Sequence, residues 1–98
     1  MDLIERLYDA AASAGLLTLA KVGSDESSIE VFVEFSAPDE HLLDGLAIGR
    51  DYRMRYPASR LPMLAVGNEV EIAGQTYRVR EVMDLGDGSE QRATLTKI

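Results

Sequence analysis

Apolar side chains recur at helical spacing in the opening stretch of the chain, and acids occupy its first turn. The recurring positions are Leu3, Ile4, Leu7, Tyr8 and Ala11. Side chains three or four residues apart share one face of a helix, so this spacing creates one apolar face. Gly15 stands where a glycine commonly ends a helix, because glycine adopts the left-handed conformation without steric penalty. The pattern predicts a helix over residues 2–14.

The pattern changes to a period of two after this helix. The stretch "LLTLAKV" (16–22) predicts a first strand, and "IEVFVEF" (29–35) alternates apolar positions with glutamates. Successive side chains of a strand point to opposite faces, so the second strand is expected to bury one face. That face consists of Ile29, Val31, Val33 and Phe35. Phe32 breaks the pattern on the acidic face, which indicates that either the N-terminal helix or a partner covers it.

Residues 36–49 follow neither period and contain a proline, two glycines and three acids. The apolar positions of this segment are Leu42, Leu43, Leu46 and Ile48. A segment of this length without its own secondary structure is usually functional or mobile in a small domain. We therefore predict a long, mobile, irregular loop here.

Further strands alternate with turn signals in the second half of the chain. The stretch "RDYRMRYPASR" (50–60) supplies a third strand that Pro57 is expected to end, because proline has no backbone donor. The remaining predicted elements are a turn or short helical piece at 59–64, strands at 68–72 and 75–82 around a tight turn at 73–74, a turn at 84–90 and a closing strand at 92–98. Short strands separated by glycine turns are typical of an antiparallel sheet that curls into a barrel or sandwich.

These patterns together predict one domain over residues 1–98 that is mainly β with one N-terminal α-helix. The expected architecture is a small antiparallel β-barrel or sandwich of about six strands, with the helix packed across it. Its predicted parts are the helix (2–14), the first strands (16–35), the mobile loop (36–49) and the remaining strands of the barrel (50–98).

Charge is distributed unevenly over this chain, whose net charge is −7. Residues 1–49 hold ten acids and two bases, whereas residues 50–98 hold seven acids and eight bases. An acidic half opposes general binding of nucleic-acid phosphates, which needs a dominant positive field. It favours docking on protein surfaces, where charge steers encounter and register. The acidic N-terminus lacks the basic region of a secretory signal, and no apolar run is long enough to span a membrane, so we expect no membrane association.

The interleaved arginines and aromatic rings of the third strand allow two interpretations. Cations and rings presented to one ligand would bind single-stranded nucleic acid. Strict alternation instead places Tyr52, Met54 and Tyr56 on one face, and Arg53 and Arg55 on the other. The alternation favours a barrel strand with a core face and an arginine face.

Candidate chemistry is sparse in this sequence. There is no cysteine, and the single histidine, His41, lies in the irregular segment beside an acid. A calcium loop needs acids at alternate positions, a spacing that Asp84, Asp87 and Glu90 do not have, and a hairpin turn explains these residues equally well. No strand–glycine-rich loop–helix unit for phosphate is present. We therefore expect no catalytic site, no cofactor and no metal site.

The C-terminal half resembles the closing region of head–tail joining proteins of lambda-like tailed bacteriophages and prophages, also called head–tail connector or attachment proteins. The resemblance covers about half of the chain closely, on the barrel pattern G-x-x-V-x-I-x-G-x-x-Y-x-V. The matching positions are Leu64, Gly67, Val70, Ile72, Gly74, Tyr77, Val79, Asp87, Gly88 and Leu95. Asn68 stands where the family usually has Asp, and both residues form turns. The order of elements, an N-terminal helix before a barrel with a long loop, also fits.

The resemblance implies a non-enzymatic structural protein of the virion, made in the cytoplasm of a bacterial host. Such proteins assemble as a ring of identical copies between the portal–connector complex and the tail, and offer the surface on which the tail docks. The alternatives are a small β-barrel interaction module of a phage tail or tail-like secretion system and, less favoured, a nucleic-acid-binding barrel. The source is either an active phage or a prophage remnant.

Two groups of residues are expected to contact partners under this interpretation. One group consists of Leu42, Leu43, Leu46 and Ile48, which either become ordered against a neighbouring subunit or cap the barrel within the monomer. The other consists of Arg53 and Arg55, a basic stripe that would receive the acidic surface of the next subunit rather than nucleic acid.

Overall fold

The computed structural model describes residues 3–23, 28–37 and 51–98 of the 98-residue chain. Its regular elements are helix α1 (Leu3–Ser13) and strands β1 (Thr18–Val22), β2 (Ile29–Ser36), β3 (Tyr52–Pro57), β4 (Glu69–Ile72), β5 (Gln75–Leu85) and β6 (Glu90–Lys97). A short 3₁₀ helix, Ala58–Arg60, follows β3. The mainly β class with one N-terminal helix is confirmed.

The six strands close into an antiparallel barrel in the order β1-β2-β3-β6-β5-β4, and β4 pairs with β1 to complete the circle. The sequence pattern left a barrel and a sandwich open, and the β1–β4 pairing shows that the fold is a barrel. Closure gives each described strand a paired neighbour on both sides, along at least part of its length. The third predicted strand and the strand at 75–82 are not neighbours, because β6 lies between β3 and β5.

The barrel interior is filled by alternate residues of the strands, as the period of two predicts. Met54 and Tyr56 of β3 are completely buried, whereas Arg53, directly before Met54, is exposed. The other core residues from the strands are Ala20, Val31, Val33, Val70, Ile72, Tyr77, Val79, Ala93 and Leu95. An aromatic cluster occupies one end of the interior, where the Phe35 and Tyr52 rings stack at 5.9 Å and Tyr77 lies 5.0 Å from Tyr52.

Backbone irregularities in the second half adjust the barrel locally. The β4–β5 turn has φ values of 52° at Ala73 and 82° at Gly74, which is the positive-φ pair that a two-residue hairpin loop of this type requires. The tight turn predicted at 73–74 is therefore confirmed. In β5 the register shifts between Val79 and Glu81, so Arg80 is the extra residue of a β-bulge. The bulge exchanges the inward and outward positions along the rest of the strand.

Several element boundaries differ from those predicted. Strand β1 begins at Thr18 rather than at residue 16, and the turn predicted at 84–90 shortens because Asp84 and Leu85 still pair with β6. Ile29 was expected in the buried face but is 50% exposed. It is the first residue of β2, where the barrel ends and no further strand covers it. Ser36, which was placed in the predicted loop over 36–49, is the last residue of β2, and residues 38–50 lie outside the described part of the chain.

Candidate functional site

The predicted apolar anchors lie outside the described residues. They are Leu42, Leu43, Leu46 and Ile48, and His41 lies in the same segment. Their contacts with partners stay a prediction. The described residues that flank this segment are Ala37, which follows β2, and Asp51, which precedes β3. Phe35 of β2 and Tyr52 of β3, whose rings stack, lie close to these two points. The segment is therefore attached at the aromatic end of the barrel.

Arg53 and Arg55 both project from the outer face of β3, since Met54 and Tyr56 fill the inner face. Arg53 is exposed and makes no ion pair with any residue in the described ranges. Arg55 forms an ion pair with Glu34 of β2, its direct neighbour across the sheet. The hydrogen bond to this carboxylate raises the pKa of Arg55 above its ordinary value. The two predicted residues therefore differ, because Arg55 is paired with a carboxylate of the neighbouring strand whereas Arg53 has no ion pair with a described residue.

A row of charged residues crosses the barrel through Arg55. The register places Glu34 opposite Arg55, Arg55 opposite Arg92 of β6, and Arg92 opposite Met83 of β5. Arg92 donates a 3.4 Å hydrogen bond to the Met83 sulfur, and its buried Nε has no hydrogen-bond partner among the described residues. Like charges directly opposite each other destabilise a sheet. Glu34 forms an ion pair with Arg55, whereas Arg92 has no ion pair with a carboxylate of the described residues.

Two more arginines lie on the same side of the barrel, on β5. Arg78 is 3.4 Å from Glu69 of β4, and Arg80 is 3.9 Å from Asp51 and donates to the Thr96 hydroxyl at 3.4 Å. We call the outer faces of β3, β6 and β5 the arginine side. Its charged residues are Arg53, Arg55, Arg78, Arg80, Glu81, Glu90 and Arg92. Sequence reasoning selected Arg53 and Arg55 and missed Arg92, because the pairing of β3 with β6 is not visible in the sequence.

The outer faces of β4, β1 and β2 have the opposite character, and we call them the acidic side. Its charged residues are Lys21, Glu30, Glu34, Glu69 and Glu71. Lys21 lies opposite Glu30 on one strand and Glu71 on the other. Leu19 and Phe32 are register partners in the middle of this side, 41% and 44% exposed. Helix α1 packs near β2 and β3 but leaves Phe32 in contact with solvent.

Helix α1 is attached to the barrel largely through polar groups. The Tyr8 hydroxyl donates a 2.5 Å hydrogen bond to Glu90, and the Ser59 hydroxyl donates to Glu5. Arg60 lies 3.0 Å from Asp9 in an ion pair. Burial, and then the hydrogen bond to Glu90, raise the pKa of Tyr8 well above its ordinary value. Exposed Leu3 and Leu7 leave apolar surface on this helix uncovered.

Two apolar grooves open on the barrel surface. One, of about 250 Å³, lies between α1 and the barrel and is lined in part by Leu7, Leu17 and Glu34. The other, of about 330 Å³, lies at the barrel end remote from the aromatic cluster and includes Ile29, Leu61 and Met63. The second groove is lined mainly by aliphatic side chains, which can contact an apolar group but offer little to orient a polar one.

The carboxylates considered for calcium have separate partners. Asp84 accepts a 2.7 Å hydrogen bond from Gln91, and Asp87 accepts bonds from the Ser89 hydroxyl and backbone, which lower the pKa of Asp87. Glu90 accepts the bond from Tyr8. Within the described ranges, no group of three or more histidine, cysteine or acidic side chains is arranged to hold a metal ion. No helix in these ranges is long and apolar enough to cross a membrane.

Residues 1–95 match the family described as Phage Head-Tail Attachment protein. A search of curated proteins finds no match to the chain. The family match includes the N-terminal helix and the first two strands as well as the C-terminal half in which the resemblance is closest. The chain therefore belongs to the phage head-tail attachment protein family, the structural proteins that join phage heads to tails.

Proposed function

We propose that this chain forms part of the head–tail connector of a virion, where it joins the filled head to the tail through protein–protein contacts. The family match over residues 1–95 carries this proposal. The protein acts without catalysis, as a ring of identical copies with the portal–connector complex on one side and the tail on the other. It is made in the cytoplasm of the bacterial host and becomes a component of the virion.

The surfaces of the barrel support a docking role. Exposed apolar side chains occur on several elements, including Leu7 on α1, Phe32 on β2 and Met63 beside the larger groove. A subunit between two different structures needs separate surfaces for each neighbour, and apolar contacts surrounded by charges are the usual composition of such surfaces. The exposed cation of Arg53 adds specificity, since charges at the rim steer encounter and fix register.

The apolar residues at 42, 43, 46 and 48 are proposed as anchors on a neighbouring subunit. Leucine and isoleucine side chains contribute about 1.5–3 kcal/mol each when they move from water into a packed interface. Part of this free energy is offset by the entropy lost when the segment becomes ordered on association. Hydrogen exchange of the isolated protein tests this proposal, because strong protection of amides 40–48 in the monomer would show that they cap their own barrel.

Complementation of a phage that lacks this chain tests the function as a whole. We expect filled heads and complete tails to accumulate separately, and electron microscopy to show joined particles when the wild-type chain is supplied. Arg53→Glu is expected to reduce joining while the monomer stays folded. Lys97→Glu, with the same change in charge at an exposed position near the end of β6, is the matched control. Joined particles formed at the wild-type level without the chain would contradict the proposal.

A further inference from the structure

The strand order places the acidic side and the arginine side on opposite faces of the molecule. In a closed barrel of six strands, strands three places apart in the circle lie across the interior from each other. The order β1-β2-β3-β6-β5-β4 therefore sets β1 against β6, and β2 against β5. Four glutamates and Lys21 project from one side, whereas five arginines, Glu81 and Glu90 project from the other.

Two ion pairs lie along the two seams between these sides, and a third, Arg80 with Asp51 at 3.9 Å, lies on the arginine side. Arg55 pairs with Glu34 where β3 meets β2, and Arg78 pairs with Glu69 where β5 meets β4. The centres of the two sides keep their own charge. On the arginine side, Arg53 and Arg92 form no ion pair with a carboxylate of the described residues. On the acidic side, Glu30 and Glu71 both lie directly opposite Lys21, so two carboxylates face one cation.

Arg92 is the residue whose environment is least satisfied within one copy. It faces another cation, Arg55, across the β3–β6 ladder, and its buried Nε lacks an acceptor among the described residues. An unpaired buried donor destabilises a protein, and more so when the group is charged. A carboxylate brought by a neighbouring molecule would reduce the repulsion between the Arg92 and Arg55 guanidinium groups.

Each side also presents exposed apolar surface beside its charges. Leu19 and Phe32 form an apolar pair near Glu30 on the acidic side. Met83, 42% exposed, lies beside Arg92 on the arginine side. An aromatic ring and a flexible thioether pack favourably against each other. The two sides are therefore complementary in both charge and apolar contact.

We propose that the acidic side of one copy binds the arginine side of the next, so that Phe32 meets Met83 and a carboxylate near Phe32 pairs with Arg92. The contact is heterologous, with two different surfaces, and repetition of such contacts builds a ring when the rotation closes. The proposal rests on the proposed function, since it specifies which surfaces join the copies in the connector ring. The partner is a second copy of this chain because one molecule carries both complementary surfaces, whereas its net charge of −7 repels nucleic acid.

Cysteine cross-linking tests the arrangement directly, because the wild-type chain has no cysteine. The double variant Phe32→Cys/Met83→Cys is treated with a short bismaleimide at high protein concentration and low salt. The two positions lie on opposite sides of one barrel, so a short linker can join them only between copies. We expect a ladder of oligomers on a denaturing gel, and only dimers when the two single variants are mixed.

The controls distinguish this arrangement from other contacts. Each single variant alone is expected to stay monomeric, and Phe32→Cys/Lys97→Cys is expected to give no ladder. Dimers from Phe32→Cys alone would show a symmetric contact and overturn the proposal. A ladder no stronger than that of the Lys97→Cys control would also overturn it.

The charge of Arg92 provides the second test. Arg92→Glu replaces a like-charge pair with an opposite-charge pair opposite Arg55, so the free energy of unfolding is expected to stay equal or rise. The ladder from the double-cysteine variant is expected to weaken about tenfold, because the next copy's carboxylate now meets a carboxylate. Lys97→Glu is expected to leave the ladder unchanged. A ladder that Arg92→Glu leaves unchanged would overturn the proposal.

Failure of this inference can be separated from failure of the proposed function. If joined particles require the chain but no ladder forms, the chain joins heads to tails without this contact. If a ladder forms but joined particles appear without the chain, the contact exists and the proposed function is wrong.

Discussion

The barrel and helix α1 are held in place by different kinds of interaction. In the barrel, side chains such as Met54, Tyr56 and Leu95 are completely buried. In α1 only Tyr8 is buried, and it is anchored by a hydrogen bond to Glu90, while Leu3 and Leu7 remain exposed. Apolar burial stabilises in proportion to the area removed from water, whereas exposed polar pairs contribute little each. The helix is therefore expected to detach at a lower free energy than the barrel unfolds.

Truncation in the barrel core is expected to have the largest effect. Met54→Ala removes a completely buried side chain from the middle of the interior and leaves a cavity. The expected loss is about 2–5 kcal/mol in the free energy of unfolding, measured by denaturant titration. Met63→Ala is the matched control, because Met63 is 85% exposed, and its expected change is within about 0.5 kcal/mol. Equal effects at the two positions would contradict the described core.

Alkaline pH perturbs both regions through their tyrosines. Burial raises the pKa of Tyr56 from 10.0 to about 12, with the charge of Asp84 contributing, and the pKa of Tyr8 is raised as well. A raised folded-state pKa means that stability is intact below pH 10. It falls from there to about pH 12 because the unfolded chain releases the proton first. Tyrosinate absorbance and circular dichroism followed together measure this change.

The two tyrosines distinguish the regions in the same titration. Tyr56→Phe is expected to reduce the loss of the barrel's circular dichroism signal at alkaline pH. Tyr8→Phe is expected to leave the size of that loss largely unchanged. If all four tyrosines ionise near pH 10 in the folded protein, the described burial of Tyr56 is wrong.

Removal of the helix anchor is expected to have a smaller and local effect. Tyr8→Phe keeps the ring but deletes the donor to Glu90, so α1 is expected to lose about 1–2 kcal/mol of docking free energy. Hydrogen exchange is expected to accelerate in α1 and to stay unchanged in β3 and β6. Tyr52→Phe is the matched control, because the Tyr52 hydroxyl has no hydrogen-bond partner among the described residues. Equal acceleration in the barrel strands would show that helix and barrel open together.

The ion pair of the helix is expected to have the smallest effect. Arg60→Gln removes the charge that pairs with Asp9 and Glu5, and exposed pairs of this kind contribute about 0.2–1 kcal/mol. The change in α1 exchange is expected to disappear at high salt, which screens such pairs in the wild-type protein as well. Arg6→Gln on the same helix is the control, since Arg6 forms no ion pair with a described residue. A loss above that of Tyr8→Phe would reverse the order proposed here.

The sequence predicted local features well where neighbouring residues decide them. The helix, the alternation of Met54 and Tyr56 with arginines, and the turn at 73–74 each follow from spacing or turn chemistry within a few residues. The predictions were less accurate at the barrel ends, both for strand boundaries and for burial. The burial of a terminal strand residue such as Ile29 depends on what covers the end of the strand. The buried Tyr8 donates a hydrogen bond from its hydroxyl to Glu90, a residue 82 positions away. No local sequence pattern indicates this contact.

By itself, the sequence determined the class of fold, the acidic balance and the resemblance to phage head–tail joining proteins. These depend on period, composition and motif, which are properties of the linear chain. Only the tertiary structure decided that the sheet closes through β1 and β4, that β6 separates β3 from β5, and that Arg92 lies opposite Arg55. Strand pairing joins residues that are distant in the sequence, and it depends on how the apolar faces of all the strands are buried together. The side of the barrel on which each charge falls follows from that choice.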